Sequence, residues 1–173
     1  LLARVSREHI GVRAHWEYFA GRNGQEAQWT SELRDRKPVH VFPETGAEGA
    51  VFGWYSWLPD VTWNEGLGLY IMVNGGTYGG EGMTGHAKDY YSGWMHTKSG
   101  SLGLWYAEHP WGPWTQFFYT DEFIVDDPDN RTYQPKLSPK WISDDGKRML
   151  LIWSDAMRDD SGKSHTINYK WNQ

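Results

Sequence analysis

Apolar and polar residues follow one another in short blocks punctuated by Gly, Pro and polar turns, the pattern of many short strands. Leu1–Val5 is predicted as a short strand. Ser6 is placed to N-cap a helical turn over Arg7–Ala14, with Glu8 in its first turn. His15–Ala20 is an aromatic strand closed by Gly21. Arg22–Gln28 is expected as a polar turn, and Trp29–Val41 as irregular chain, because Pro38 argues against a central strand. Trp54–Trp63 is a long aromatic and β-branched run, followed by a turn at Asn64–Gly68. Leu69–Val73 is wholly apolar and therefore predicted as a strand buried on both faces.

Asn74–Gly100 is long, Gly-rich and aromatic. Two strands follow, Leu102–Ala107 and Thr115–Thr120, separated by the rigid turn Pro110-Trp111-Gly112-Pro113-Trp114. After an acidic loop at Asp121–Asn130 the pattern starts again. Tyr133–Ile142 is extended, Ser143–Lys147 is a hairpin turn of the Asp-Gly kind, and Arg148–Trp153 is an apolar strand. Asp155–Ser164 is a polar loop, and His165–Trp171 is the last strand.

The second round repeats the first. Leu58-Pro59-Asp60-Val61-Thr62-Trp63-Asn64 lies over Gln134-Pro135-Lys136-Leu137-Ser138-Pro139-Lys140. Tyr70-Ile71-Met72-Val73 lies over Leu150-Leu151-Ile152-Trp153. A repeat of roughly 75–80 residues with three or four antiparallel strands is too long for a solenoid rung and suits a decorated propeller blade. The expected fold is therefore all-β: one partial β-propeller domain over residues 1–173, holding about two and a half blades. Residues 1–50 would end one blade and lead onward, 51–120 would form a second blade, and 121–173 a third. Closed propellers need about four to eight blades, so a missing N-terminal segment or a homo-oligomer is expected to complete the ring. The alternative architecture is an aromatic-rich sandwich of about ten strands.

Composition supports the all-β expectation. Trp 12, Tyr 10 and Phe 6 make 16% of the chain beside Gly 20 and Pro 8, and aromatics favour strands while Gly and Pro favour turns. Most of the Trp belong in a core, but flat rings also stack on sugar C–H faces. The formal net charge of −5 argues against a nucleic-acid partner. Cys 0 excludes disulfides, thiolate metal sites and Cys nucleophiles. No apolar run approaches the ~20 residues of a membrane span, so no membrane partner is expected, and Leu1–Ile10 is not an intact signal peptide.

HExxH, GxSxG, P-loop and GxGxxG-before-helix patterns are all missing. None of the seven His is paired at zinc spacing, and no metal site is predicted from them. No cofactor is expected. Asp126-Asp127-Pro128-Asp129-Asn130 has the oxygen ligands for a structural calcium ion, yet it lacks the EF-hand register and suits a solvated loop. Carboxylates are left as catalytic candidates. Asp60 sits among Trp57, Leu58, Pro59 and Trp63, where desolvation would raise its pKa unless a cation or hydrogen bonds compensate. Lys136, its counterpart on the repeat, is a candidate for that cation. The bland alternative is a polar pair serving an inner strand. Asp155 follows an apolar strand and would emerge at the same rim, or cap a turn.

The runs Leu102-Gly103-Leu104-Trp105-Tyr106-Ala107, Pro110-Trp111-Gly112-Pro113-Trp114-Thr115, Tyr133-Gln134-Pro135-Lys136-Leu137-Ser138-Pro139-Lys140-Trp141-Ile142, Trp153-Ser154-Asp155 and Asn168-Tyr169-Lys170-Trp171-Asn172 resemble a bacterial family of β-propeller domains of unknown function. Arg4-Val5, Trp16–Gly21 and Trp29 fit the same family. It is similar to five-bladed glycosidase propellers, some of whose relatives are endo-D-arabinofuranases. The resemblance covers nearly the whole chain and implies that about half a propeller is missing.

A carbohydrate-active propeller, secreted or periplasmic and acting on an oligo- or polysaccharide, is the resulting expectation. In a glycoside hydrolase two carboxylates flank the scissile bond; Asp60 is the base candidate and Asp155 the second. Trp54, Tyr55, Trp94, Tyr133, Gln134 and Lys136 would line subsites. A polysaccharide lyase would instead use Lys136 or Arg131 to neutralise a uronate and Tyr133 or His96 as the base. A non-catalytic glycan-binding or assembly module is the third expectation.

Overall fold

The computed structural model describes residues 1–42, 59–75, 102–120, 123, 133–155 and 170–172. Ten strands run through these residues: β1 (Ala3–Arg4), β2 (Glu17–Asn23), β3 (Glu26–Thr30), β4 (Asp60–Asn64), β5 (Leu69–Gly75), β6 (Leu102–Ala107), β7 (Thr115–Thr120), β8 (Tyr133–Ile142), β9 (Met149–Asp155) and β10 (Lys170–Asn172). They form three sheets, of order β1-β2-β3, β4-β5-β6-β7 and β10-β9-β8. The protein is thus mostly β with antiparallel pairing, and the described strands form no closed barrel.

The chain divides into two compact units: Leu1–Val41 with Ala107–Thr115, and Phe42–Tyr106 with Gln116–Gln173. In the first, β2 pairs antiparallel with both β1 and β3. Arg22–Gln28, expected as a polar turn, is instead a hairpin. Its loop is only Gly24-Gln25, between the partners Asn23 and Glu26. Gly24 holds φ 61 there, the left-handed geometry that two-residue hairpin loops demand. The strand Glu-Ala-Gln-Trp-Thr is too polar to announce itself, and it is held largely by Trp29. That ring meets Phe19 edge-on with centroids 6.1 Å apart, meets Trp111 at 5.9 Å, and carries the Arg4 guanidinium 4.2 Å from its centroid. Arg4 also pairs with Glu17 at 2.8 Å, and the Trp111 indole N–H donates to the Gln25 carbonyl at 2.9 Å.

The helical turn expected over Arg7–Ala14 is two short 3-10 turns, Arg7–His9 and Arg13–His15. Ser6 makes no capping bond to the backbone. Its hydroxyl is bonded to the His9 ring at Nδ1, 2.8 Å away, and that ring stacks on His15 with centroids 4.0 Å apart.

In the second unit β4 pairs antiparallel with β5, from Asp60 opposite Val73 to Asn64 opposite Leu69. β8 and β9 pair antiparallel, and β10 returns along β9. Ile71, Val73 and Leu102 of one sheet bury against Leu137 of the other, with Leu69, Leu104, Phe123, Met149 and Leu151 packed around them. β5 is buried from Ile71 to Gly75, as its unbroken apolar run predicts. β6, β7 and β8 run between the residues the sequence indicates. Of the predicted Trp54–Trp63 run, β4 holds the last residues, and 54–58 lie outside the described residues.

Candidate functional site

β4 reverses the usual strand logic. Asp60, Thr62 and Asn64 share the face of Val73 and Ile71, their neighbours across the β4–β5 pair, and that face looks onto Leu137. Val61 and Trp63 take the opposite face and are each 43% exposed. Polar side chains therefore point between the sheets. What they find there is the backbone of the neighbouring sheet.

At one end, the Lys136 ammonium donates to Asp60 Oδ1 at 3.3 Å, and the Leu137 backbone N–H donates to Oδ2 at 3.1 Å. β8 is the outermost strand of its sheet, so its outward amides have no ladder partner, and the Asp60 carboxylate takes one of them. The Asp60 side chain is 24% exposed and that of Lys136 is 55% exposed. Each carboxylate oxygen retains a lone pair, and the ammonium retains two donors.

The β8 backbone is distorted beside this pair. Its register with β9 shifts between Tyr133 and Lys136, and Gln134 holds φ 51. A non-Gly residue in the left-handed region costs about 1–2 kcal/mol, and such bulges re-aim the side chains on either side of them. Pro135, inside the bulge, is fully buried. The bulge lets Lys136 sit opposite Ile152 while Tyr133 sits opposite Ser154.

At the other end of β4, Asn64 is completely buried. Its amide N–H donates to the Gly146 carbonyl at 2.8 Å and contacts the Met149 sulfur at 3.3 Å, while its oxygen accepts the Leu67 N–H at 3.0 Å. Gly146 holds φ 72. A Cβ there would run into Asn64 Oδ1 and Leu67, and a Cβ on Gly66 would run into the Gly146 backbone. The two equivalent hairpin turns of the repeat are therefore keyed together by Asn64. The sequence reading passed over this residue, although an Asn directly before a Gly-containing turn is the available signal.

The second turn is held by Asp145, which accepts the Ser143 hydroxyl at 2.6 Å and the Lys147 N–H at 3.0 Å. The Ser143 hydroxyl first, and then the Lys147 N–H, hold its carboxyl below the usual carboxylate range.

Of the sequence-predicted site residues, Asp60 and Lys136 are thus in direct contact, with Gln134 in the bulge beside them. Tyr133 begins β8, and Asp155 ends β9 opposite Lys170, so their backbones lie at the Asp60 end of the sheets. Trp54, Tyr55, Trp94, His96 and Arg131 lie outside the described residues, as does the whole candidate calcium run 126–130. Among the described residues no group of three or more His, Asp or Glu is placed to hold a metal ion, and no helix is long and apolar enough to cross a membrane.

Two buried polar side chains near the Asp60 end make no hydrogen bond. Asn74 has both amide atoms unpartnered, and Trp153 has its indole Nε1 unpartnered. A scan against protein-family models and searches of the curated proteins and the solved structures find no match to this chain.

Proposed function

We propose that this chain is a carbohydrate-active β-propeller segment, with sheets β4–β7 and β8–β10 as successive blades and Asp60 in a glycan site at the ends of their first strands. The observation that carries the proposal is the Asp60–Lys136 contact, 3.3 Å long and partly open to solvent, beside the bulge at Gln134. A carboxylate with spare lone pairs and an ammonium with spare donors suit the hydroxyl-rich surface of a sugar. Held beside an ammonium and a backbone N–H, Asp60 takes the role of base or nucleophile in this reading of glycoside hydrolysis, and Asp155 is the candidate for the acid. In keeping with the resemblance of the sequence, the substrate class is an arabinan-like polysaccharide. The test is reducing-end release from arabinan by the wild type and by Asp60→Asn. Turnover that survives in the variant removes Asp60 from the chemistry.

One observation favours a second reading, a glycan-binding module without turnover. Both Asp60 oxygens already accept a hydrogen bond from β8, which suits a residue that fastens two sheets as well as one that reacts. Binding of arabinan without product would decide for it.

A further inference from the structure

We propose that β7 is a docking edge for a second copy of this chain, the two β7 strands pairing antiparallel about a two-fold axis at Phe118. This pairing is independent of the glycan reading. It also lies at the opposite edge of its sheet from β4, the edge that β8 meets.

β7 ends the order β4-β5-β6-β7, and none of the described strands pairs with its outer side. An open edge is a row of unpaired N–H and C=O groups, a template for another strand. The other sheet edges carry charges or prolines, which discourage such pairing. β1 has Arg4, β3 has Glu26 and β10 has Lys170. β8 has Lys136, Lys140, Pro135 and Pro139, and β4 has Asp60 and is met by β8. β7, Thr-Gln-Phe-Phe-Tyr-Thr, has neither a charge nor a proline. Phe117 is 53% and Phe118 42% exposed, and successive residues of a strand point to opposite faces. Both faces of this edge are therefore apolar. Tyr106 of β6 extends one of them, its ring 6.0 Å from that of Phe117.

The sequence of β7 fits itself. In an antiparallel pair about a two-fold axis normal to the sheet, directly opposite residues share a face. Centring on Phe118 sets the two Phe118 rings opposite each other, Phe117 opposite Tyr119 of the second copy, and Gln116 opposite Thr120 of the second copy. Aromatic rings then meet at Phe117, Phe118 and Tyr119, and such cross-strand pairs are stabilising. Centring on Phe117 would leave Phe118 opposite Gln116 and Tyr119 opposite Thr115. The formal net charge of −5 makes two copies repel where charged surfaces approach, so an uncharged strand is the electrostatic match for this edge. The pairing uses up both edges and stops at a dimer.

Sedimentation of the full chain over a concentration series should show a monomer–dimer equilibrium. Phe118→Lys sets like charges opposite each other at the centre and should weaken it about tenfold or more. The same exchange at Trp141, a 53% exposed aromatic of β8, should leave it unchanged. Because the chain has Cys 0, Phe118→Cys supplies its sole thiol. In the dimer the two thiol-bearing Cβ atoms lie about 5 Å apart, and a short thiol-to-thiol cross-linker should join two copies, as it should not in Trp141→Cys. A wild type that sediments as a monomer up to its solubility limit overturns the proposal and leaves the edge to a foreign strand. A folded Phe118→Lys protein that dimerises as tightly overturns it too. Should that variant fail to fold, the cross-link decides: Phe118→Cys copies that stay unlinked while the wild type dimerises place the interface elsewhere.

Discussion

Asn64 donates its side-chain amide to the Gly146 carbonyl from a fully buried position, so the turn that closes the β4–β5 hairpin is fastened to the turn that closes β8–β9. Asn64→Ala would leave the Gly146 carbonyl and the Leu67 N–H without their partner. The expected cost is roughly 2–4 kcal/mol, because each buried group left unpaired costs about 1–3 kcal/mol. Chemical denaturation would measure it, and a loss under half a kilocalorie per mole would show that water replaces the amide.

Gly146→Ala tests the same joint from the other side. The φ of 72 is left-handed, and the added methyl would meet Asn64 and Leu67. Destabilisation of about 2–4 kcal/mol is expected, from the left-handed backbone and the clash together. Combined with Asn64→Ala, the two losses should add to less than their sum, since both break one contact.

Asp60 separates architecture from chemistry. Asp60→Asn retains an oxygen for the Leu137 N–H and gives up an ion pair with an exposed lysine, so stability should fall by no more than about 1 kcal/mol. Asp60→Ala leaves that N–H without its acceptor and should cost about 1–3 kcal/mol. Under the hydrolase reading proposed above, both should abolish release of reducing ends from arabinan. Equal stability for the two variants would show that the β8 amide needs no acceptor.

His40 predicts a pH dependence. Burial first, and the nearby positive charge of Arg22 second, hold its pKa below the ordinary 6.5. The unfolded chain therefore takes up a proton at a higher pH than the folded one, and stability falls as pH drops below about 6.5 towards the folded pKa. Melting temperatures at pH 7.5 and 5.5 should differ by less in His40→Gln than in the wild type. An identical difference would place the effect on other groups.

The strands with unbroken apolar or aromatic character were legible from sequence. Leu102–Ala107, Thr115–Thr120 and Tyr133–Ile142 begin and end where expected, because Pro110–Trp114 and the Asp-Gly turn leave little freedom at their ends. β3 was hidden, since its cohesion comes from Trp29 meeting partners distant in sequence. The repeat singles out Asp60 and Lys136, and the apolar surroundings of Asp60 make Lys136 its candidate cation; the structure places the two 3.3 Å apart. What a one-dimensional alignment does not carry is which sheet edges meet, and so it could not show that the Leu137 N–H of edge strand β8 binds the same carboxylate. Asn64 escaped for a related reason: its partners, Gly146 and Met149, belong to the other half of the repeat.

The bonds that join the two sheets span 76 residues at Asp60–Lys136 and 82 at Asn64–Gly146. In polymer terms they close a large loop, whose entropy grows only logarithmically with length, about 0.6 kcal/mol for each doubling. Each hairpin can form from nearby residues, while the joint must wait for the distant ends to meet, which places its closure late and makes it slow relative to the hairpins. Lengthening the chain between Gly75 and Leu102, which lies inside both loops, should therefore change the stability of the joint very little.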